Sequence, residues 1–328
     1  MKRRLFALAL ALLLAVSLPV SALARDWYID DGDITISATE IGQTVSQGDT
    51  TEADDAPVIK QKNSETTTDK TIKIETTGGA TADVTIENVN ISSGGDAIDV
   101  GSSSANITLK GKNKLFSESK SALHVSSGNV TIDGNGSLEA EIGVEDSANE
   151  NAKIGSHENE NMSGSIHITG DATVTTKDDR NDFYYGDGAG IGSGENGEMS
   201  GSITIDENAN VDAFSQEDGA GIGSGSNVSG ETEINISGDS TIKSASGGKY
   251  GGAGIGSGSS DTKNDSKKGA VTINITEGTI EKAEGKNGGA GIGSGYYGRS
   301  STVNISGNAE LKDVKGGNLA AGIGSGYD

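Results

Sequence analysis

The chain has 328 residues, with 48 acidic and 25 basic side chains, a formal charge of −23, 51 glycines, two prolines and no cysteine. The charge argues against a nucleic-acid partner, because phosphate binding needs clustered lysine and arginine. The lack of thiols excludes disulfides, thiolate metal sites, a cysteine nucleophile and a lipidated cysteine.

Residues 1–24 read as a signal peptide that is cleaved after Ala24. Lys2, Arg3 and Arg4 open it, Leu5–Leu18 is its apolar run, and Ala22-Leu23-Ala24 gives the small residues of a cleavage site. The apolar run is short for a membrane span. The expectation is therefore an extracellular or cell-surface protein with no membrane span after cleavage. Losing the three basic residues takes the formal charge from −23 to −26. Such acidity keeps a secreted chain soluble and offers oxygen ligands to calcium.

Residues 25–83 are less regular. Ile34-Thr35-Ile36 and Ile72-Lys73-Ile74 read as strands, and Gln47–Pro57 reads as loop. This segment is expected to form an N-terminal cap and the first strands, since an open solenoid end exposes unpaired edges.

Residues 84–328 repeat. Ala-Gly-Ile-Gly-Ser-Gly occurs five times, centred on Ile191, Ile222, Ile255, Ile292 and Ile323. Weaker versions surround Ile98, Leu123 and Ile154. A second register pairs apolar residues two apart with a third five or six later. It runs Val84/Ile86/Ile91, Ile107/Leu109/Leu115, Val130/Ile132/Leu138 and Ile166/Ile168/Val174, then Ile203/Ile205/Val211, Ile234/Ile236/Ile242, Ile273/Ile275/Ile280 and Val303/Ile305/Leu311. A spacing of two is the strand period. Turn residues such as Ser237-Gly238-Asp239 separate the second and third apolar positions. Each copy reads as strand, tight turn, strand, loop, glycine strand.

Three short strands per copy, stacked, predict an all-β, right-handed parallel β-helix of about eight or more coils. One coil buries too little apolar surface to offset its ordering entropy, so coils come in arrays. A β-propeller needs longer, four-stranded blades, and an antiparallel sandwich needs no near-identical copies.

Strand alternation in the glycine motif would place Ala, Ile and Ser on one face and the glycines on the other. Ile then points inward and the outer face is bare backbone, the kind of surface that a second backbone or a ligand approaches closely. Tyr184, Tyr185, Tyr250, Tyr296 and Tyr297 flank this strip, as does Tyr327. Aromatic rings beside a flat strip suit a sugar polymer; loops pinned over the strip are the competing reading.

Catalytic signatures are weak. Gly192, Gly194 and Gly197 match the spacing of a dinucleotide loop, but the motif recurs five times with no helix after it. His124, His157 and His167 have no partner at metal-ligand spacing and read as surface or turn residues. Asp96 and Asp99, beside Gly94-Gly95, are the nearest cluster to a calcium site, with Asp30, Asp31 and Asp33 a second. The chain is read as non-catalytic.

The glycine strands, together with Asp33-Ile-Thr-Ile-Ser37 and Asp83-Val-Thr-Ile-Glu-Asn-Val-Asn-Ile91, resemble secreted glycine-rich β-helix proteins of clostridia and related Gram-positive bacteria, described as carbohydrate-binding domain-containing proteins. The resemblance covers residues 26–328. Many copies in that family read Gly-Ala-Gly-Ile-Gly-Gly-Gly, whereas Ser193, Ser224, Ser257, Ser294 and Ser325 take the penultimate place here. The resemblance implies cell-surface or extracellular polysaccharide binding, with calcium as a candidate and no cofactor required. A structural surface stalk is the alternative, with a polysaccharide lyase more distant. Because the sequence stops on a repeat strand, it is expected to be the N-terminal portion of a longer protein.

Overall fold

A computed structural model describes residues 24–143, 149–177, 186–261 and 270–327. The proposed signal peptide, apart from Ala24, lies outside the described residues, as do Tyr184 and Tyr185. The protein is a parallel β-helix with three walls, sheets of ten, eight and twelve strands. No helix among the described residues is long and apolar enough to cross a membrane.

One coil visits all three walls. Ser202–Ile205 lies on the first wall, Asn210–Phe214 on the second, and Ile222–Gly223 on the third. Side chains along Ser202–Ile205 alternate between partly exposed and buried, and Ile203 and Ile205 are fully buried. Strand alternation thus delivers two apolar side chains per first-wall strand to the interior. Each has its counterpart directly above and below. Ile168, Ile205, Ile236, Ile275 and Ile305 are register partners in succession, as are Ile166, Ile203, Ile234, Ile273 and Val303. On the third wall an unbroken column runs from Ile34 through Ile72, Ile98, Leu123 and Ile154 to Ile323. The weaker glycine-strand copies therefore occupy the same place as the clear ones.

In most coils the turn from first to second wall uses a left-handed residue two places after the last inward side chain; after Ile275 it falls one place later, at Gly278. Gly170, Gly238 and Gly307 supply it at φ 66°, 64° and 63°, and Asn88 at 55°. Glycine meets that demand without a Cβ penalty.

The third wall begins differently. Ile34–Thr39 pairs antiparallel with Gly42–Gln47, which pairs antiparallel with Thr50–Ala53. Trp27 is buried, and its indole N–H donates to Asp54, which follows this meander, at 2.9 Å. At the other end Arg299 is buried. Its guanidinium reaches two coils back and donates to the carbonyls of Ser229 (3.3 Å) and Gly230 (2.7 Å) and to Thr232 Oγ1 (3.2 Å). Burial pulls its pKa down to about 10, so it stays charged at neutral pH.

One part of the sequence register needs correction. Ile107 partners Ile132, and Val130 partners Ala105, so the copies at 107–115 and 130–138 are offset by two residues. The second wall slips in step, with Leu115 opposite Ala140 and Asn113 opposite Leu138. Asn113 is 1% exposed and explains the slip. Its Oδ1 accepts from Val89 N (3.1 Å), and its Nδ2 donates to the carbonyls of Lys110 and Ser137 (both 3.1 Å). A polar side chain that completes backbone bonds in three successive coils holds an inward position that apolar counting assigns to Leu.

Asn113→Leu would match its column neighbour in character but orphan three backbone groups, at about 1–3 kcal/mol for each buried group left unpaired. We expect a stability loss of at least about 2 kcal/mol by that reckoning, read as a lower urea midpoint. An unchanged midpoint would show that the column tolerates either residue.

Candidate functional site

The glycine wall is built from backbone contacts. In each clear copy the Ala N–H donates to the carbonyl of the Ser four residues on, as in Ala189 to Ser193 (3.0 Å) and Ala220 to Ser224 (2.9 Å). The motif is therefore a tight bend with only a two-residue strand, Ile-Gly, at its centre. Gly192 and Gly223 sit at φ 141° and 139°, and a Cβ on either would stand 1.6–1.8 Å from the carbonyl oxygen of the equivalent glycine in the next coil. Gly190, Gly192 and Gly194 are all buried. The expected bare outer strip is thus corrected: these glycines face the neighbouring coil, because the bend departs from the extended conformation that simple alternation assumes.

The serine of the motif has a specific task. Its buried Oγ accepts the N–H of the motif's last glycine in the following coil: Gly225 to Ser193 (3.2 Å), Gly258 to Ser224 (3.2 Å), Gly295 to Ser257 (3.0 Å) and Gly326 to Ser294 (3.1 Å). Ser156 does the same for Gly194 at 3.1 Å.

At the flank of this wall a second repeated backbone bond sets up a row of facing positions. The residue after the motif donates its N–H to the carbonyl of the residue two places before the motif's Ala, or its counterpart Ala152, one coil earlier. The pairs are Glu195 to Glu150 (3.0 Å), Ser226 to Asp187 (3.0 Å), Ser259 to Asp218 (2.8 Å), Tyr296 to Gly251 (2.8 Å) and Tyr327 to Gly288 (2.7 Å). The geometry of the rung is constant while its chemistry changes from acidic to aromatic along the axis. Glycine accompanies tyrosine for a steric reason. A Cβ on Gly251 would lie 2.5 Å from the Tyr296 Cβ, and one on Gly288 would lie 2.7 Å from the Tyr296 ring.

The aromatic end holds Tyr296, Tyr297 and Tyr327 together. The Tyr296 and Tyr327 rings are near-parallel at 5.6 Å, and Tyr297 tilts against Tyr296 at 4.1 Å. Tyr327 and Tyr250 are exposed, at 39% and 43%. A separate shallow groove of about 560 Å³ crosses the outer face of the first wall. Asn129, Ser165, Ser202, Glu233 and Thr272 line it on successive coils, and no aromatic side chain joins them.

The acidic end crowds carboxylates. Glu150, Glu158 and Glu195 bring oxygens within 4.8 Å of one another, and so do Asp187, Glu217 and Asp218. A hydrogen bond with Glu195, then burial and the charges of Glu195 and Glu158, push Glu150 up to about 8. Burial, then the charges of Asp218, Glu195 and Glu217, push Asp187 up to about 8. Burial also raises Asp218 and Glu217.

Asp96 and Asp99 lie elsewhere on the same wall, and the structure joins them to His124 and His157. His124 is 8% exposed and stacks on His157, centroids 3.7 Å apart at 10°. His124 Nδ1 meets Asp99 Oδ1 at 2.8 Å, and its Nε2 meets Glu160 Oε2 at 2.7 Å. His157 Nε2 meets Asp96 Oδ1 at 2.7 Å. The reading of these two histidines as surface or turn residues is corrected. Their partners stand 25, 36 and 61 residues away, about one or two coils, so local spacing could not find them. Comparing positions one coil apart would have. Burial alone would lower the His124 pKa, but the hydrogen bonds to Asp99 and Glu160 raise it to about 9. His167 only pairs with Asp206 at 3.0 Å. The second acidic cluster is committed to the first turns: Asp30 accepts from Lys62 N (2.7 Å), Asp33 from Thr71 N (2.9 Å), and Asp31 pairs with the Lys62 ammonium.

Two outcomes follow. Ser224→Ala leaves the Gly258 N–H unpaired in a buried wall and should cost about 1–3 kcal/mol, seen as a lower melting temperature; no change would mean the ladder is dispensable. For Asp187, the folded pKa lies above the unfolded value of about 3.9. Its stabilising proton is fully held below about pH 4 and lost as pH rises through about 8. The melting temperature should therefore fall from about pH 5 to about pH 8, and Asp187→Asn should flatten that slope; an equal slope in the variant would refute the assignment.

Residues 203–226, 234–259 and 273–296 match the family model described as Beta helix repeat. Each match starts on a first-wall strand and ends just past a glycine strand, so the matched unit is one coil. No curated protein and no solved structure matches the chain. The fold and these matches together make this a parallel β-helix built of β-helix repeats.

Proposed function

We propose that the protein is a non-catalytic carbohydrate-binding β-helix of the cell exterior, which holds a polysaccharide at the tyrosine end of the glycine wall. The observation that carries this reading is the seating of Tyr296 and Tyr327 on glycine rungs, with their rings nearly parallel and Tyr297 against Tyr296. Apolar sugar faces pack on such rings while their hydroxyls meet polar neighbours. The acidic rungs next to the patch, and the charge of −23, disfavour an acidic polymer and favour a neutral or amino-sugar chain. The signal-peptide-like start supports the extracellular placement.

A second reading has its own support. The buried, self-stacked glycine wall serves the fold, which suits a structural stalk without a ligand.

Polysaccharide pull-down separates the two. Tyr250→Ala/Tyr327→Ala removes exposed rings and should weaken retention on a neutral glycan at least about tenfold, equivalent to about 1.4 kcal/mol, at unchanged melting temperature. Retention of no polymer by the parent protein would favour the stalk, and retention unaffected by the double variant would remove the tyrosine site.

A further inference from the structure

Among the described residues, the one group of converging metal-ligating side chains that includes histidine is the group around the stacked rings, and it stands apart from the tyrosine patch. Asp99, His124 and the His157 region belong to three consecutive coils of the glycine wall, so the wall itself fixes their separations. The side chains of Asp96, His124 and His157 are only 15%, 10% and 16% exposed. The donor atoms of these three all lie within 4.8 Å of one another.

Charge and hydrogen bonding both call for a cation. Asp96, Asp99 and Glu160 bring three carboxylates against two imidazoles, so even with both rings protonated the group stays net negative. Carboxylates accept only, and both ring nitrogens of His124 point at carboxylates.

We propose that Asp96, His124 and His157 form a binding site for a divalent transition metal of the zinc class, with Asp99 as fourth ligand. Imidazole nitrogens with one or two carboxylates suit such ions. Calcium instead takes six to eight oxygens, so the histidines redirect the metal reading of Asp96 and Asp99. For Asp96, His124 and His157 the geometry needs little adjustment, and Asp99 reaches the group through the same His124 nitrogen. His124 Nδ1 lies 2.8 Å from Asp99 Oδ1 and 4.0 Å from Asp96 Oδ2, and His157 Nε2 lies 2.7 Å from Asp96 Oδ1. Bonds of about 2.0–2.2 Å in a tetrahedron place neighbouring ligands about 3.4 Å apart. On binding, the Nδ1 proton of His124 leaves to solvent and its lone pair goes to the metal. The Nε2–H stays and donates to Glu160 at 2.7 Å, the outer carboxylate that orients a metal-bound histidine. Glu160 is itself held by the His157 backbone N–H at 3.1 Å, and Asp96 by Ser121 N at 3.0 Å. Glu160 is a positioning residue and not a ligand.

The test uses the full chain, stripped with a chelator and titrated with Co2+ and then Zn2+. One Co2+ per chain should bind with the ligand-field spectrum of a mixed nitrogen/oxygen site. Zn2+ should displace it, and calorimetry in buffers of different ionisation heat should report proton release. Ca2+ at the same concentration should give neither signal. His157→Ala and Asp96→Asn should abolish binding, Glu160→Gln should weaken it about 10–100-fold with the spectrum kept, and His167→Ala should bind as the parent does. His157→Gln carries the test if the alanine variant does not fold. No Co2+ spectrum and no Zn2+ heat from the parent protein, or undiminished binding in a folded His157 variant, would overturn the site.

Discussion

Everything in this molecule depends on how closely one coil's backbone lies on the next. On the glycine wall the contact is so tight that no side chain fits between coils, and a Cβ on Gly256 or Gly293 would fall within 1.8 Å of the next carbonyl oxygen. The apolar columns supply the gain from burial. The glycines set the spacing at which those columns, the strand ladders and the serine hydroxyls all engage together. Such an array is stable only as an array, because each coil completes the hydrogen bonds of its neighbour.

That constancy lets the surface chemistry vary freely. The same backbone rung carries Glu150 opposite Glu195, then Asp187 opposite Ser226, and then Gly251 opposite Tyr296. A β-helix holds a frame fixed and writes a different side chain at each step. Acidic, histidine-containing and aromatic patches therefore share one wall, and the coil of Ile154 carries both His157 and the acidic Glu150 and Glu158. The exchange of Asp for Gly beneath the tyrosines shows how local the accommodation is.

The sequence made the architecture readable wherever side chains alternate along extended backbone. Ile203 and Ile205, two apart, point the same way, and their counterparts in the next coil lie where the repeat puts them. It misled where that premise fails. The glycine motif bends at φ near 140°, so face-counting along it assigned its glycines to the outside when they are buried. Asn113 misled for another reason. A buried side chain chosen for hydrogen bonding is invisible to an apolar register. The histidine group escaped because coils vary in length, from 25 residues between Ile98 and Leu123 to 38 between Ile34 and Ile72. No fixed spacing in the chain marks which residues become neighbours across them. Tyr250, Tyr296 and Tyr297 could be named from sequence, but the seating of Tyr296 on Gly251 and Gly288 required the rungs.

The direction of the hydrogen bonds bears on mechanics. In this solenoid the strand ladders run along the long axis, coil to coil, with covalent chain crossing between coils once per turn. A force along that axis loads the bonds of one interface in tension, and the end coil has a neighbour on one side only. Extension would then proceed from an end, one coil at a time, each step releasing a length of chain set by that coil's loops. The buried Arg299 guanidinium, which reaches across two coils to Ser229 and Gly230, links interfaces that would otherwise open separately. The coils it spans would then yield as a group instead of singly.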